Sequence, residues 1–181
     1  MNIVVINGMP RAGKDLFVSL CKKYVGGRLL NVSTVDKVKE IAAECGWDGV
    51  KSPKNRKFLS DLKDLLTEWG DVPYKDIERK VYMHEANLSE WFGPDEIIAF
   101  IHCREPEEIQ KFKDRLGAKT LIIRRDCVES NEQSNHADSK VFDFTYDYTI
   151  SNNGTIEELE KRAVEFLNLF PKLKPYNFKN N

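Results

Sequence analysis

The chain has 181 residues, 31% of them charged, and a net charge of −1. That balance excludes the basic field with which nucleic-acid-binding domains attract phosphate backbones, so any anion site must rest on a few local cations. The length suits one domain with a substantial core, and no apolar run approaches a membrane span. The four cysteines, Cys21, Cys45, Cys103 and Cys127, match no zinc or redox spacing and read as reduced thiols of a cytoplasmic protein with no targeting segment.

Ile3 to Ile6 is a run of β-branched apolar residues, the pattern of a strand buried on both faces in a parallel sheet. Gly8 follows, then four residues, then Gly13-Lys14, then an amphipathic helix through Leu16, Phe17, Leu20, Cys21 and Tyr24. Strand, glycine-rich loop, lysine and helix make the phosphate-binding P-loop arrangement. Glycines let backbone N–H groups approach an anion with no Cβ in the way, and the helix start adds partial positive charge. Lys14 supplies a point charge for β- and γ-phosphates. Asp15 stands where the common motif has Ser or Thr. It is expected either to organise Mg²⁺, directly or through water, or to be a helix-start carboxylate favoured by the dipole.

Gly26-Gly27 breaks the first helix, and Arg28 to Ser33 reads as a second strand. Ser33 or Thr34 is expected to cap a helix running to Cys45. Ser52 and Pro53 open a long helix to about Trp69, with Phe58, Leu59, Leu62, Leu65, Leu66 and Trp69 as its apolar stripe. Another helix is expected from about Tyr74 to Phe92. This helical region, 34–92, lies between strands, where a lobe over an acceptor substrate would sit. Of its cations (Lys37, Lys39, Lys51, Arg56, Lys57), Lys37 and Arg56 are the best placed for an acceptor phosphate, since both lie near helix starts. A solvated helix face is the plain alternative for each.

Ile97 to Cys103 is a second buried strand, ending in Arg104-Glu105-Pro106. A helix then runs from Glu107 to Leu116. Ligands gather at the carboxyl ends of strands in open parallel sheets, and an arginine there offers a fork for phosphate. His102 at such an end suggests packing more than chemistry, and adjacent His102 and Cys103 point to opposite faces. Lys119 to Arg124 is the next strand, placing Arg124 and Arg125 at the same edge. Residues 126–140, with His136 and Asp138, lose apolar periodicity and read as a polar lid-like loop. Tyr146 to Ile150 is the last strand. Thr155 and Glu158 form a capping box for a final helix to Leu169 or Phe170. Five strands alternating with helices imply an α/β fold, a three-layer sandwich around a parallel sheet.

The sequence resembles the deoxynucleoside monophosphate kinases of phage type and the animal-type phosphomevalonate kinases, within the larger P-loop kinase group. The residues that carry the resemblance are Gly8-x-x-Arg11-x-Gly13-Lys14-Asp15, the segment around Asp36-Lys37-x-Lys39-Glu40, and Arg104-Glu105-Pro106-x-Glu108. Others are Gly117-Ala118 before Leu121 to Arg125, His136 to Ser139, and Tyr146 to Thr155. The resemblance implies transfer of the ATP γ-phosphate to a small monophosphate, with Mg²⁺ at Asp15. Gly8, Arg11, Ala12, Gly13, Lys14, Asp15 and Leu16 would bind the donor, with Asn152 and Gly154 near the adenine. Arg104, Arg124 and Arg125 would clamp phosphates, and Asp36, Lys37, Arg56 and Arg104 would face the acceptor. One departure is His102, where family members often carry an aspartate. Three readings stay open: a (deoxy)nucleoside monophosphate kinase, a kinase of a non-nucleotide phosphate, and a nucleotide-binding protein without turnover. No nucleic acid or membrane partner is expected, and the apolar helix faces leave a homodimer possible.

Overall fold

The structure, a computed structural model, describes residues 1–50, 52–129 and 140–173. Five strands form one sheet: β1 (Asn2–Asn7), β2 (Leu29–Ser33), β3 (Ile98–His102), β4 (Lys119–Arg124) and β5 (Tyr148–Ser151). Their order is β2-β3-β1-β4-β5, and every pair is parallel. Ile6 of the central strand is level with His102 on one side and Leu121 on the other. The carboxyl ends of β1, β3 and β4 therefore share one edge, and the loops that leave them meet there.

The helices are α1 (Lys14–Val25), α2 (Asp36–Glu44), α3 (Pro53–Gly70), α4 (Val72–Leu88), α5 (Pro106–Leu116), the single turn α6 (Asp126–Glu129) and α7 (Ile156–Leu167). Alternation along the strands supplies two cores. Val4, Ile6, Phe100, Leu121 and Ile123 pack with Phe17 of α1 and Leu159 and Phe166 of α7. Val5, Ala99 and Ile101 pack with Tyr74, Ile77 and Val81 of α4 and Ile109 and Phe112 of α5. Helices thus cover both faces of the sheet, the three-layer α/β sandwich expected from the alternating pattern. Among the described residues, no helix is long and apolar enough to cross a membrane.

Several local expectations hold. Ser52 accepts the Asn55 N–H at 3.1 Å, and Thr155 and Glu158 form their capping box. Others change for identifiable reasons. Neither Ser33 nor Thr34 caps α2. Instead the Asp36 carboxylate accepts the Ser33 N–H at 2.8 Å, and the Thr34 N–H is drawn to the His102 carbonyl at 3.1 Å. The last strand begins at Tyr148, two residues later than expected. The Asp147 carboxylate has captured the Thr120 N–H at 2.8 Å and hydroxyl at 2.9 Å, in place of a ladder bond. The helix expected to reach Phe92 ends at Leu88, and α7 ends at Leu167.

The apolar stripe of α3 left open packing within the chain or against a second copy; in the structure none of the helix's residues is fully buried, and Trp69 is 80% exposed. The helix packs beside α2 and α4 and does not lie on the sheet. The 3.6 period marked a helix whose stripe is only half covered, Leu59, Leu62 and Leu66 lying half-buried while Leu65 and Trp69 are exposed.

Candidate phosphate-binding site

The loop from Gly8 to Gly13 turns back on itself through three residues with positive φ: Gly8 (145°), Arg11 (65°) and Gly13 (98°). The two glycines are required. A Cβ on Gly8 would lie 2.4 Å from the Ile123 carbonyl oxygen of β4, and one on Gly13 2.3 Å from Asn152 Nδ2. Lys14 is the first residue of α1, and its Nζ donates to the Gly8 carbonyl at 2.6 Å and the Met9 carbonyl at 2.9 Å. The ammonium is therefore folded over the mouth of the loop, at the start of a twelve-residue helix. Loop amides, helix start and ammonium together favour a polyanion. Ala12 is buried, and Leu16 is 39% exposed on the first turn of α1.

Asn152, placed by the family resemblance near adenine, sits beneath the loop. Its Nδ2 donates to the Ala12 carbonyl at 2.8 Å from a buried position. Gly154 lies two residues on, in the exposed turn before α7. The Asn153 side chain accepts the Asp126 N–H at 2.8 Å, so this turn braces the start of α6.

Asp15 projects into solvent, its side chain 96% exposed, with Oδ1 3.8 Å from His102 Nε2. His102 Nε2 also lies 2.9 Å from Asn31 Oδ1 of β2. Burial holds the His102 pKa below its usual 6.5, against the pull of Asp15, so the ring is neutral at pH 7. Among the described residues no group of three or more His, Cys, Asp or Glu side chains could hold a metal. A nucleotide-bound Mg²⁺ is held by one or two carboxylates plus phosphates and keeps several waters, and Asp15 is the carboxylate beside the loop that would serve it.

The three arginines divide. Arg104 follows β3 at the shared edge, its carbonyl tied to Asn7 at 3.2 Å. Arg124 closes β4, but its guanidinium grips the Glu129 carboxylate at 2.6 and 3.2 Å and lies 5.2 Å from the Phe142 ring centre. Arg125 gives its N–H to the same carboxylate at 3.0 Å. Asp36 lies at the start of α2 on this edge. Lys37 pairs with Glu40 at 3.0 Å, Lys57 with Asp61 at 2.6 Å, and Arg56 is exposed on the first turn of α3. Lys51, His136 and Asp138, and most of 126–140, lie outside the described residues.

His102 and Cys103 do not act together. The Cys103 thiol turns to Glu108 at 3.3 Å, which also takes Lys63 at 2.7 Å, and burial pushes its pKa far up, away from a reactive thiolate. Sequence reasoning missed Asn7, Asn31 and Glu129. Each acts through a contact that no motif spacing announces.

No family model matches the chain. It is similar to the pentafunctional AROM polypeptide of Lachancea thermotolerans, 28% identical over 121 residues. That stretch is 60% of this chain and 7% of that polypeptide's length. Among solved structures it is similar to a shikimate kinase from Aquifex aeolicus, 14% identical with a TM-score of 0.45, covering 92% of this chain and 96% of that one. A sugar kinase from Janibacter sp. is 13% identical with a TM-score of 0.47, covering 96% and 98%.

Proposed function

We propose that this chain is an ATP-dependent phosphotransferase acting on a small-molecule acceptor. The observation that carries the reading is the loop itself. The loop reverses through three residues of positive φ, and the Lys14 ammonium lies on the Gly8 and Met9 carbonyls, ready to move onto a phosphate. The triphosphate would lie along Gly8–Lys14, with Mg²⁺ beside Asp15. Lys14 and Arg104 would face charge developing on the transferred phosphoryl group. Arg125, next in the chain to Arg124, would join the same clamp. Arg124 would join it only by leaving Glu129. The acceptor would occupy the space bounded by Asp36, Arg104 and the α2–α3 region, 34–92.

The acceptor suggested by the family resemblance is a (deoxy)nucleoside monophosphate, bound through Arg104, Lys37 and Arg56. A specific observation favours a second reading, a non-nucleotide acceptor. A base needs an aromatic clamp, and the aromatics available to form one are dispersed. Trp69 faces solvent, Phe58 is 38% exposed, and the buried Trp47 indole N–H has no hydrogen-bond partner among the described residues.

The test is ADP release with ATP and Mg²⁺ over a panel of nucleoside and deoxynucleoside monophosphates, small phosphomonoesters and small hydroxy acids. Turnover on a nucleotide supports the first reading, and turnover only on other acceptors supports the second. ATP binding without turnover on any of them would reduce the chain to a nucleotide-binding protein.

A further inference from the structure

Asn7, the last residue of β1, is wholly buried where three segments of the site meet. Its Oδ1 accepts the Gly8 N–H at 2.8 Å. Its Nδ2 donates to the Arg104 carbonyl at 3.2 Å and to the Tyr146 hydroxyl oxygen at 2.7 Å. The Tyr146 hydroxyl donates onward to the Val141 carbonyl at 2.8 Å. Both amide protons and the amide oxygen are thus engaged. A flipped amide would set N–H₂ against the Gly8 N–H, donor to donor, so the orientation is settled by chemistry.

Each bond has a consequence for the site. The Gly8 N–H is turned into the protein, which fixes the entry to the loop, and the Ala12 N–H closes the loop's middle on the Met9 carbonyl at 3.1 Å. The Arg104 peptide is pinned to the same side chain, so the root of that arginine is held in register with the loop. Tyr146, its ring 5.2 Å from that of Phe144, holds the second amide proton and thereby the rotamer of Asn7. The nearest alternatives each lose part of this pattern. Aspartate would lose both donations and add a buried negative charge beside a polyanion site. Serine could supply one donor at most, and glutamine needs room for a further methylene where none is exposed.

We infer that Asn7 is the positioning residue that holds the phosphate loop and Arg104 at a fixed separation, and that Tyr146 holds Asn7 in place. For its ligand the inference rests on the ATP reading; for the coupling it rests on the chain alone.

The experiment compares the full chain with its Tyr146→Phe and Asn7→Asp variants. Amide hydrogen exchange is followed over residues 8–14, 103–105 and 140–147, and the Kd for ATP is measured by calorimetry. Tyr146→Phe keeps the ring and removes only the hydroxyl. It is expected to speed exchange in both 8–14 and 103–105 and to weaken ATP by roughly 3–10-fold, the factor a lost hydrogen bond carries. Asn7→Asp should weaken ATP further, and if that variant does not fold, Tyr146→Phe decides alone. Faster exchange confined to 140–147, with the Kd for ATP unchanged, would overturn the proposal. Those are the results of a merely structural tyrosine, which lowers the melting temperature and leaves the affinity of the folded molecules alone. A wild-type chain that takes up no ATP would defeat the phosphotransferase reading, while the exchange pattern still decides the role of Asn7.

Discussion

The candidate phosphate-binding edge and the α3 helix are built on opposite terms. At the edge, β1 has a partner on each side, Val4 to Asn7 are wholly buried, and the loop is braced from beneath by Asn7 and Asn152. In α3 no residue is buried, and the helix meets the sheet layers through ion pairs, Lys63 with Glu108 at 2.7 Å. Lys111 bonds Asp71 at the α3–α4 junction in the same manner. One region is over-determined and the other covers its stripe only in part. A site that must hold a polyanion needs preorganised donors. An acceptor lobe, the role proposed for 34–92, does better with a surface that can adjust.

The sharpest way to break this contrast is Lys14→Ala. It should lower kcat by about 10²–10³-fold, the cost of one preorganised donor, with the fold intact by circular dichroism. An unchanged ADP-release rate would remove the edge from the chemistry. Next come large aromatic truncations. Phe100→Ala should cost about 3–5 kcal/mol in urea denaturation, whereas Trp69→Ala should cost less than about 1 kcal/mol. Similar losses for the two would show that α3 is as firmly packed as the sheet.

The glycines extend the comparison. Gly8→Ala meets backbone at 2.4 Å with φ at +145° and should destabilise by roughly 2–4 kcal/mol. Gly70→Ala finds nothing nearer than Val72 Cγ2 at 4.0 Å and should stabilise by about 0.5–1 kcal/mol, by stiffening the unfolded chain.

The smallest effect concerns pH. Burial depresses the His102 pKa in the folded state, so on acidification the unfolded chain takes the proton first. The associated stability is full above the ordinary value of 6.5 and declines as the pH falls below it. The urea midpoint of wild type should therefore drop between about pH 7 and 5, and His102→Gln should flatten that part of the profile. A parallel profile for the variant would clear His102 of the effect.

Much of the edge was legible because its signals are local. The β4 bounds, Lys119–Arg124, are those expected from the apolar run and its flanking cations. Gly8, Gly13 and Lys14 sit where their spacing demands, and Ser52 and Thr155 cap the helices they precede. What was not legible depends on chain segments far apart in sequence. Asn152 touches Ala12 from 140 positions away, and Tyr146 reaches Asn7 from 139. Arg124 was expected among the phosphate clamps, but its guanidinium is held by Glu129, five positions on. The α3 stripe shows the complementary failure. Helical period reports which side of a helix is apolar, and only the tertiary arrangement decides whether anything covers it.

The place of β1 between two much later strands has a consequence for biosynthesis. Asn2 lies beside Ile98, and Val4 beside Lys119, so the first loop is translated long before either flank that shapes it. A nascent chain carries the glycines and the lysine but not yet the curvature that makes them a receptor. On the phosphotransferase reading, nucleotide would stabilise only chains in which both flanking strands have already been made.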